Sequence, residues 1–293
     1  MSVRRIIAGA LFLGLSWGGI TACAGRPAGE VRQLWRLDDA GLSTPESVLW
    51  DPRADVYLVS NIVGSPSDED GDAFIARVSP DGKVAALRWI DSRGAGVRLD
   101  APKGMALVGD SLWVADIHSV RRFDRVSGAP QGSVPIADSV FLNDLCPDGR
   151  GGVYVSDSGT GRVYQVDADG AVRLVVEDPR LNQPNGLLDT AGGLVVLSFG
   201  GEQAFRLTAG GELVPWASLP AAGLDGVVAA GDGSLIVSSW KGRALYRIDA
   251  NGRSEVLVSG LAAPADIGWD ASRSAVLVPL FTDDAVIALQ VTE

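Results

Sequence analysis

The sequence predicts an all-β fold, a six-bladed β-propeller whose ring is closed by an N-terminal strand in the last blade, and three observations predict it. A three-residue opening recurs six times along the chain. No segment after the leader keeps a helical period. Short β-rich runs such as Ser111–Ala115, Gly152–Ser156 and Ser234–Ser238 instead alternate with explicit turn residues.

The recurring openings are Pro45-Glu46-Ser47, Pro102-Lys103-Gly104, Leu142-Asn143-Asp144, Pro184-Asn185-Gly186, Leu224-Asp225-Gly226 and Pro264-Ala265-Asp266. Their middle residues are 57, 40, 42, 40 and 40 positions apart, and the long first interval holds a polar insertion, Ser65 to Asp72. A fixed period near 40 residues with several strands per period is the signature of propeller blades; a two-sheet sandwich has no reason to keep one. Pro80-Asp81-Gly82, Pro147-Asp148-Gly149, Asp169-Gly170 and Asn251-Gly252 supply the positive φ angles of tight hairpins. The last repeat ends at Asp284 to Val291, one strand short of a full blade. Val31 to Leu37, ahead of the first repeat, is available to complete it and remove the open edge.

Ahead of the propeller, Arg4 and Arg5 precede a continuous apolar run from Ile6 to Ile20, about 15 residues, the length of a signal-peptide core and short for a membrane span. The run ends in Ile20-Thr21-Ala22-Cys23, which resembles a bacterial lipobox. Residues 1–22 therefore read as a lipoprotein signal peptide, 23–30 as lipid anchor and linker with Cys23 lipidated, and 31–293 as the propeller. Ala24 after the lipidated cysteine is compatible with delivery to the periplasmic side of an outer membrane. Export without disulfides is consistent with the cysteine count, since Cys146 is the one thiol left and sits in an apolar segment. The formal charge of −11 disfavours nucleic acid and anionic lipid headgroups as partners. The expected partners are a small-molecule ligand or substrate and, through the lipid anchor alone, the membrane; closure of the ring makes a monomer the default state.

In a propeller the first strand of each blade lines the central channel. The six middle residues, Glu46, Lys103, Asn143, Asn185, Asp225 and Ala265, are thus expected to form one ring. The loops after each second strand bring Ile62, Ile117, Ser158, Phe199, Trp240 and Phe281 to the same face. Two carboxylates and two amides are hard oxygen donors suited to a calcium- or magnesium-like cation. The aromatics offer either a wall for a ligand or blade packing. Asp116 and His118 add a carboxylate and the chain's one imidazole, the latter either structural or ligand-contacting. The stretch Asp68 to Asp72 looks like part of a calcium loop but lacks the distal Glu of an EF-hand and reads as a solvated insertion.

From Pro45 to Leu289 the ordered set Pro45-Glu46, Asn143-Asp144, Asn185-Gly186 and Asp225-Gly226 resembles the regucalcin/gluconolactonase (senescence-marker-protein-like) propellers. The resemblance implies a divalent metal, calcium foremost, held by Glu46, Asn185 and Asp225 with Asn143 beside it. It also implies hydrolysis of a lactone or related ester, with Asp225 activating or orienting a water. Two positions depart. Phe141 stands where sugar-lactonase members carry an arginine for substrate hydroxyls, and Lys103 enters the ring, where it is expected to pair with Glu46 and compete with the metal. The expected substrate side therefore comprises Lys103, Phe141, His118, Phe199, Trp240 and Phe281, drier than a sugar site. A non-catalytic ligand- or protein-binding propeller at the cell envelope, or a purely structural one, stays open beside the hydrolase.

Overall fold

A computed structural model describes residues 30–292; the expected signal peptide, Cys23 and linker, up to residue 29, lie outside the described residues. The strands form six four-stranded antiparallel sheets. The first blade runs β2 (Pro45–Asp51), β3 (Val56–Asn61), β4 (Phe74–Val78) and β5 (Val84–Asp91). The second begins with β6 (Pro102–Val108), the third with β10 (Leu142–Pro147), the fourth with β14 (Pro184–Thr190) and the fifth with β18 (Leu224–Ala229). The sixth combines β22 (Gly268–Asp270), β23 (Ala275–Leu280) and β24 (Ala285–Val291) with the N-terminal β1 (Val31–Leu37), in the order β1-β24-β23-β22. The chain is a six-bladed propeller closed by one N-terminal strand, paired from Val31↔Val291 to Leu37↔Val286 with one bulge between Gln33 and Trp35.

Apolar clusters sit between adjacent blades, not within any one. Val195 and Leu197 of the fourth blade pack with Leu224, Val237 and Tyr246 of the fifth, and Tyr57, Val59 and Ala76 of the first pack with Leu277, Val286 and Ala288 of the sixth. Burial therefore falls outward: the second strands are almost fully buried, while the third blade's outermost strand, Val172–Glu177, is mostly exposed. Carboxylates at the far ends of inner strands fasten the turns. Asp51 accepts from the N–H groups of Arg53 (2.9 Å) and Ala54 (3.2 Å) and pairs with Arg125 of the second blade. Asp270 accepts from Tyr57 Oη (2.7 Å) across the closure. Asp-Gly and Asn-Gly hairpins do adopt the left-handed region, with φ of +78° at Gly82, +69° at Gly149, +88° at Gly170 and +79° at Gly252.

Each inner strand carries the same irregularity. Pro45 pairs with Asn61, but the ladder resumes one residue out of step at Val48↔Val59. The same break recurs at Pro102/Met105, Leu142/Leu145, Pro184/Leu187 and Leu224/Val227, and Pro264 bridges Leu280 before Gly268 pairs with Leu277. This bulge is what turns the middle residue of each opening away from the ladder and into the channel. Ser60, Ser156 and Ser238 hydroxyls accept the N–H groups that the bulge frees at Ser47 (2.9 Å), Asp144 (2.9 Å) and Gly226 (2.8 Å).

The glycines of Lys103-Gly104, Asn185-Gly186 and Asp225-Gly226 are not at positive φ. They are there because the next blade approaches too closely: a Cβ on Gly226 would lie 2.7 Å from Asp266 Cα and overlap the Ile267 amide, and one on Gly186 would overlap the Asp225 carbonyl. The turn role considered for these dipeptides from sequence gives way to steric crowding at the axis. Gly226→Ala is expected to cost about 3 kcal/mol in urea unfolding. Gly210→Ala, whose added Cβ meets only Thr208 Oγ1 at 3.7 Å, should shift stability by less than about 0.5 kcal/mol.

Candidate functional site

Five of the six ring positions, Glu46, Lys103, Asn143, Asn185 and Asp225, open into one cavity of about 490 Å³. The sixth, Ala265, is fully buried and contributes no donor. Phe141, Phe199, Trp240 and Phe281 line the same cavity with Ile62, Pro66 and Val140. Trp240 stacks between its neighbours, 5.8 Å from Phe199 at 72° and 4.8 Å from Phe281 at 52°. Edge and tilted packing of this kind holds the three rings as a continuous apolar wall.

The oxygen donors converge with capacity to spare. Glu46 Oε2, Asn185 Oδ1 and Asp225 Oδ1 are all buried, and none has a hydrogen-bond partner. Asn143 is oriented by a relay: Ser158 Oγ donates to the Pro184 carbonyl (2.6 Å) and accepts from Asn143 Nδ2 (3.1 Å). That bond commits the nitrogen end of the amide and leaves its oxygen for the cavity. Buried oxygens without donors are costly in a protein-only pocket, and a hard cation would satisfy them together. The residues thus fit a divalent metal. Among the described residues no group of three or more His, Cys, Asp or Glu side chains could hold a metal; the set here is two carboxylates with two amides.

Below the ring lies a second layer that the reading of middle residues missed. The third residues of the openings, Ser47, Asp144 and Asp266, are buried next to the channel. Asp144 accepts from the Leu145 and Leu187 amides, each at 2.7 Å, and Asp266 from Ser47 Oγ at 2.5 Å. Four buried carboxyls, Glu46, Asp144, Asp225 and Asp266, therefore lie close enough to act on one another. Burial, then the neighbouring Asp225 and Asp266 charges, raise Glu46 well above the usual carboxylate range, with Lys103 opposing. Burial and the charges of Asp266 and Asp144 raise Asp225 likewise, with the neighbouring Trp240 indole N–H opposing, and Asp144 is raised by burial and Asp266. Asp266 is pushed up to about 7 by burial, against the Ser47 hydroxyl.

Lys103 does not pair with Glu46, contrary to expectation: no carboxylate lies within 4.0 Å of its ammonium among the described ion pairs. Its Nζ instead donates to the Ala101 carbonyl (3.0 Å) and sits 4.3 Å from the centroid of Phe141, so the lysine is drawn sideways and the ring stays open. Burial lowers it to about 8, while Glu46 and Asp116 pull the other way. His118 is the second correction. It is exposed, outside the cavity lining, with Nδ1 2.9 Å from the Ser139 carbonyl and Nε2 3.5 Å from Glu69 Oε1. Asp116 is structural, accepting from the Asp100 and Ala101 amides and pairing with Arg121 at 2.8 Å. Ile117 packs with Ile62 and Ala101 and does not reach the cavity. The acidic insertion is more than a solvated loop, since Pro66 reaches the cavity and Glu69 is held by His118 and Arg98 (3.6 Å). Cys146 is a buried free thiol, as its apolar segment suggests.

The fold and site define the chain as a six-bladed propeller with an oxygen-rich ring beneath an apolar wall. No protein-family profile matches it, and no curated protein matches its sequence. Solved structures do. A gluconolactonase from Xanthomonas campestris superposes with a TM-score of 0.70 at 17% identity, covering 90% of each chain. A streptogramin B lyase gives 0.67 at 10% identity over 90% of this chain and 98% of that one. Virginiamycin B lyase from Staphylococcus aureus gives 0.62 at 14% identity over 89% and 99%. At these identities the likeness is one of fold.

The carboxyl layer carries a pH signature. Asp266, at about 7 folded against about 3.9 unfolded, binds more protons in the folded state between those values. Its contribution to stability is therefore lost as pH rises through that window. Asp266→Asn, which keeps an acceptor for Ser47, should stabilise the metal-free protein by about 1–3 kcal/mol at pH 8 and by almost nothing at pH 4, read by urea unfolding at both values.

Proposed function

We propose that the protein is a divalent-metal-dependent hydrolase of a lactone or related ester with an apolar body. The observation that carries this reading is the set of three buried, partnerless oxygens, Glu46 Oε2, Asn185 Oδ1 and Asp225 Oδ1, on residues that line one cavity. A cation held by Glu46, Asn143, Asn185 and Asp225, calcium by the hardness of the donors, would polarise the ester carbonyl as a Lewis acid. Asp225 takes the proton of the attacking water as its oxygen bonds to the carbonyl carbon. When the ring C–O bond breaks, the same carboxyl returns that proton to the leaving alkoxide, which balances the step as ester plus water to acid plus alcohol. Phe199, Trp240 and Phe281 seat the apolar part of the substrate and keep bulk water from the ring.

A histidine-based elimination is the competing chemistry on this fold, since a histidine-to-alanine form of the Staphylococcus aureus lyase is described as catalytically inactive. Here the one histidine, His118, stands outside the cavity, which favours hydrolysis. The leader adds a location: export and anchoring through lipidated Cys23 in the bacterial cell envelope, on the periplasmic side of the outer membrane. Cys23→Ala is expected to abolish incorporation of a labelled fatty acid into the chain, read by gel fluorography.

The deciding experiment uses the full-length chain in mild detergent. Its melting temperature is measured with calcium, magnesium, manganese or zinc and with chelator, followed by a screen of lactones and aryl esters. A cation at 100 times its Kd adds about 2.7 kcal/mol, a rise of about 5 °C or more. Asp225→Ala should abolish the rise, and Asp225→Asn should lose turnover while keeping the fold. Ligand-induced stabilisation without any metal effect or turnover would replace the hydrolase with the binding-module reading.

A further inference from the structure

Lys103 is the feature of the cavity that the hydrolytic reading leaves unused. It is 1% exposed, and it is the one cation among the cavity-lining residues. Buried ammonium groups are normally compensated by a carboxylate in contact, because desolvation costs several kcal/mol per ion. Here the ammonium has three N–H bonds and one hydrogen-bond acceptor, the Ala101 carbonyl at 3.0 Å. The face of Phe141 takes part of the remaining charge, with the centroid 4.3 Å away. Such an arrangement holds the ammonium in place at the cavity wall without neutralising it.

Its surroundings determine which ligand it suits. The carboxyls that act on it, Glu46 and Asp116, are not in contact with it, and Asp116 is committed to Arg121 and two backbone amides. The cavity's aromatic wall runs from Phe199 through Trp240 to Phe281. One unspent cation and one apolar wall in the same 490 Å³ space describe a ligand with the complementary halves.

We propose that this cavity selects an amphipathic monoanion, with a carboxylate on the Lys103 ammonium and an aromatic or branched apolar body against Phe199, Trp240 and Phe281. The inference rests on the cavity being the ligand site and needs no metal. Joined to the proposed hydrolysis, it makes the substrate class a lactone or ester on a hydrophobic carboxylic acid, not a polyhydroxylated neutral sugar. The position of Phe141 is then explained: its ring is the platform on which the lysine of the neighbouring blade rests.

The test compares two ligands of the same shape, 4-phenylbutyrate and its primary amide, by calorimetry on the full-length chain in mild detergent with chelator at pH 7. Wild type should bind the carboxylate at least about tenfold more tightly than the amide, in line with a charge-assisted hydrogen bond. Lys103→Met should erase that preference while leaving amide binding within about twofold, and Trp240→Ala should weaken both ligands alike. A melting temperature for Lys103→Met at or above wild type establishes that the variant is folded, and Lys103→Arg should retain a preference for the anion. Equal binding of the two ligands by wild type, or a preference that survives Lys103→Met, overturns the proposal. Because the readout is metal-free binding, a failed turnover or metal titration would remove the hydrolase and leave this subsite standing.

Discussion

The constraint on which the rest depends is the lack of room at the propeller axis. Six inner strands must converge there, and the same one-residue break in register appears in every blade. The break spends two residues of each opening on the channel instead of on the ladder. Where the next blade's backbone comes closest, a Cβ is excluded, and glycine follows at positions 104, 186 and 226. Where it does not, the space is filled by Ser47, Asp144 and Asp266, whose side chains then tie one blade to the next. Between the first and sixth blades the inner strands even pair directly, with Asp266 N–H donating to the Glu46 carbonyl at 2.9 Å. The polar character of the centre follows from geometry: a bulge frees backbone N–H groups, and buried N–H groups require oxygens.

That geometry produces an electrostatic problem which the site then uses. Side chains turned inward by the inner strands are buried close together, so the carboxyls of Glu46, Asp144, Asp225 and Asp266 act on one another. The result is a cluster of carboxyls raised above their usual range. The chain's own cation in the cavity does not relieve it, because Lys103 is held away by Ala101 and Phe141. Had the ammonium closed on Glu46, the ring would be an internal ion pair with nothing left to bind. The sideways lysine is what keeps both the oxygen set and a positive charge available, on separate parts of one cavity.

The blade count, the closure and the register of the ring were legible because they are periodic: the opening motif recurs at nearly constant spacing, and one strand was visibly missing at the end. The middle residues landed in the channel for the same reason. What periodicity cannot show is which neighbour a side chain reaches across blades. Lys103 was expected to meet Glu46, its neighbour around the ring, but a backbone carbonyl two residues before it and a ring on the third blade offered better contacts. His118 lies in a loop beside the ring, and being one residue past the inward-facing position was enough to send it to the surface toward Glu69. Asp144 and Asp266 stand in the same repeated triplets as the ring residues. They were overlooked because the third position alternates between glycine, serine and aspartate, and its meaning emerges only once the crowding at the axis is known.

Ring and wall also differ in how freely sequence can change there. The ring is bound by the bulge, the glycines and the interblade hydrogen bonds, so substitutions within it disturb the packing of two blades at once. The wall comes from loops after the second strands, where Phe199, Trp240 and Phe281 need only fit one another and the cavity. A propeller of this design can therefore hold its oxygen donors fixed and alter its ligand through the loops and through single intrusions such as Lys103. This chain has filled the loop positions with aromatic carbon and set one cation against them. The chemistry of the ring and the choice of ligand are thus separable properties, carried by different residues under different physical constraints.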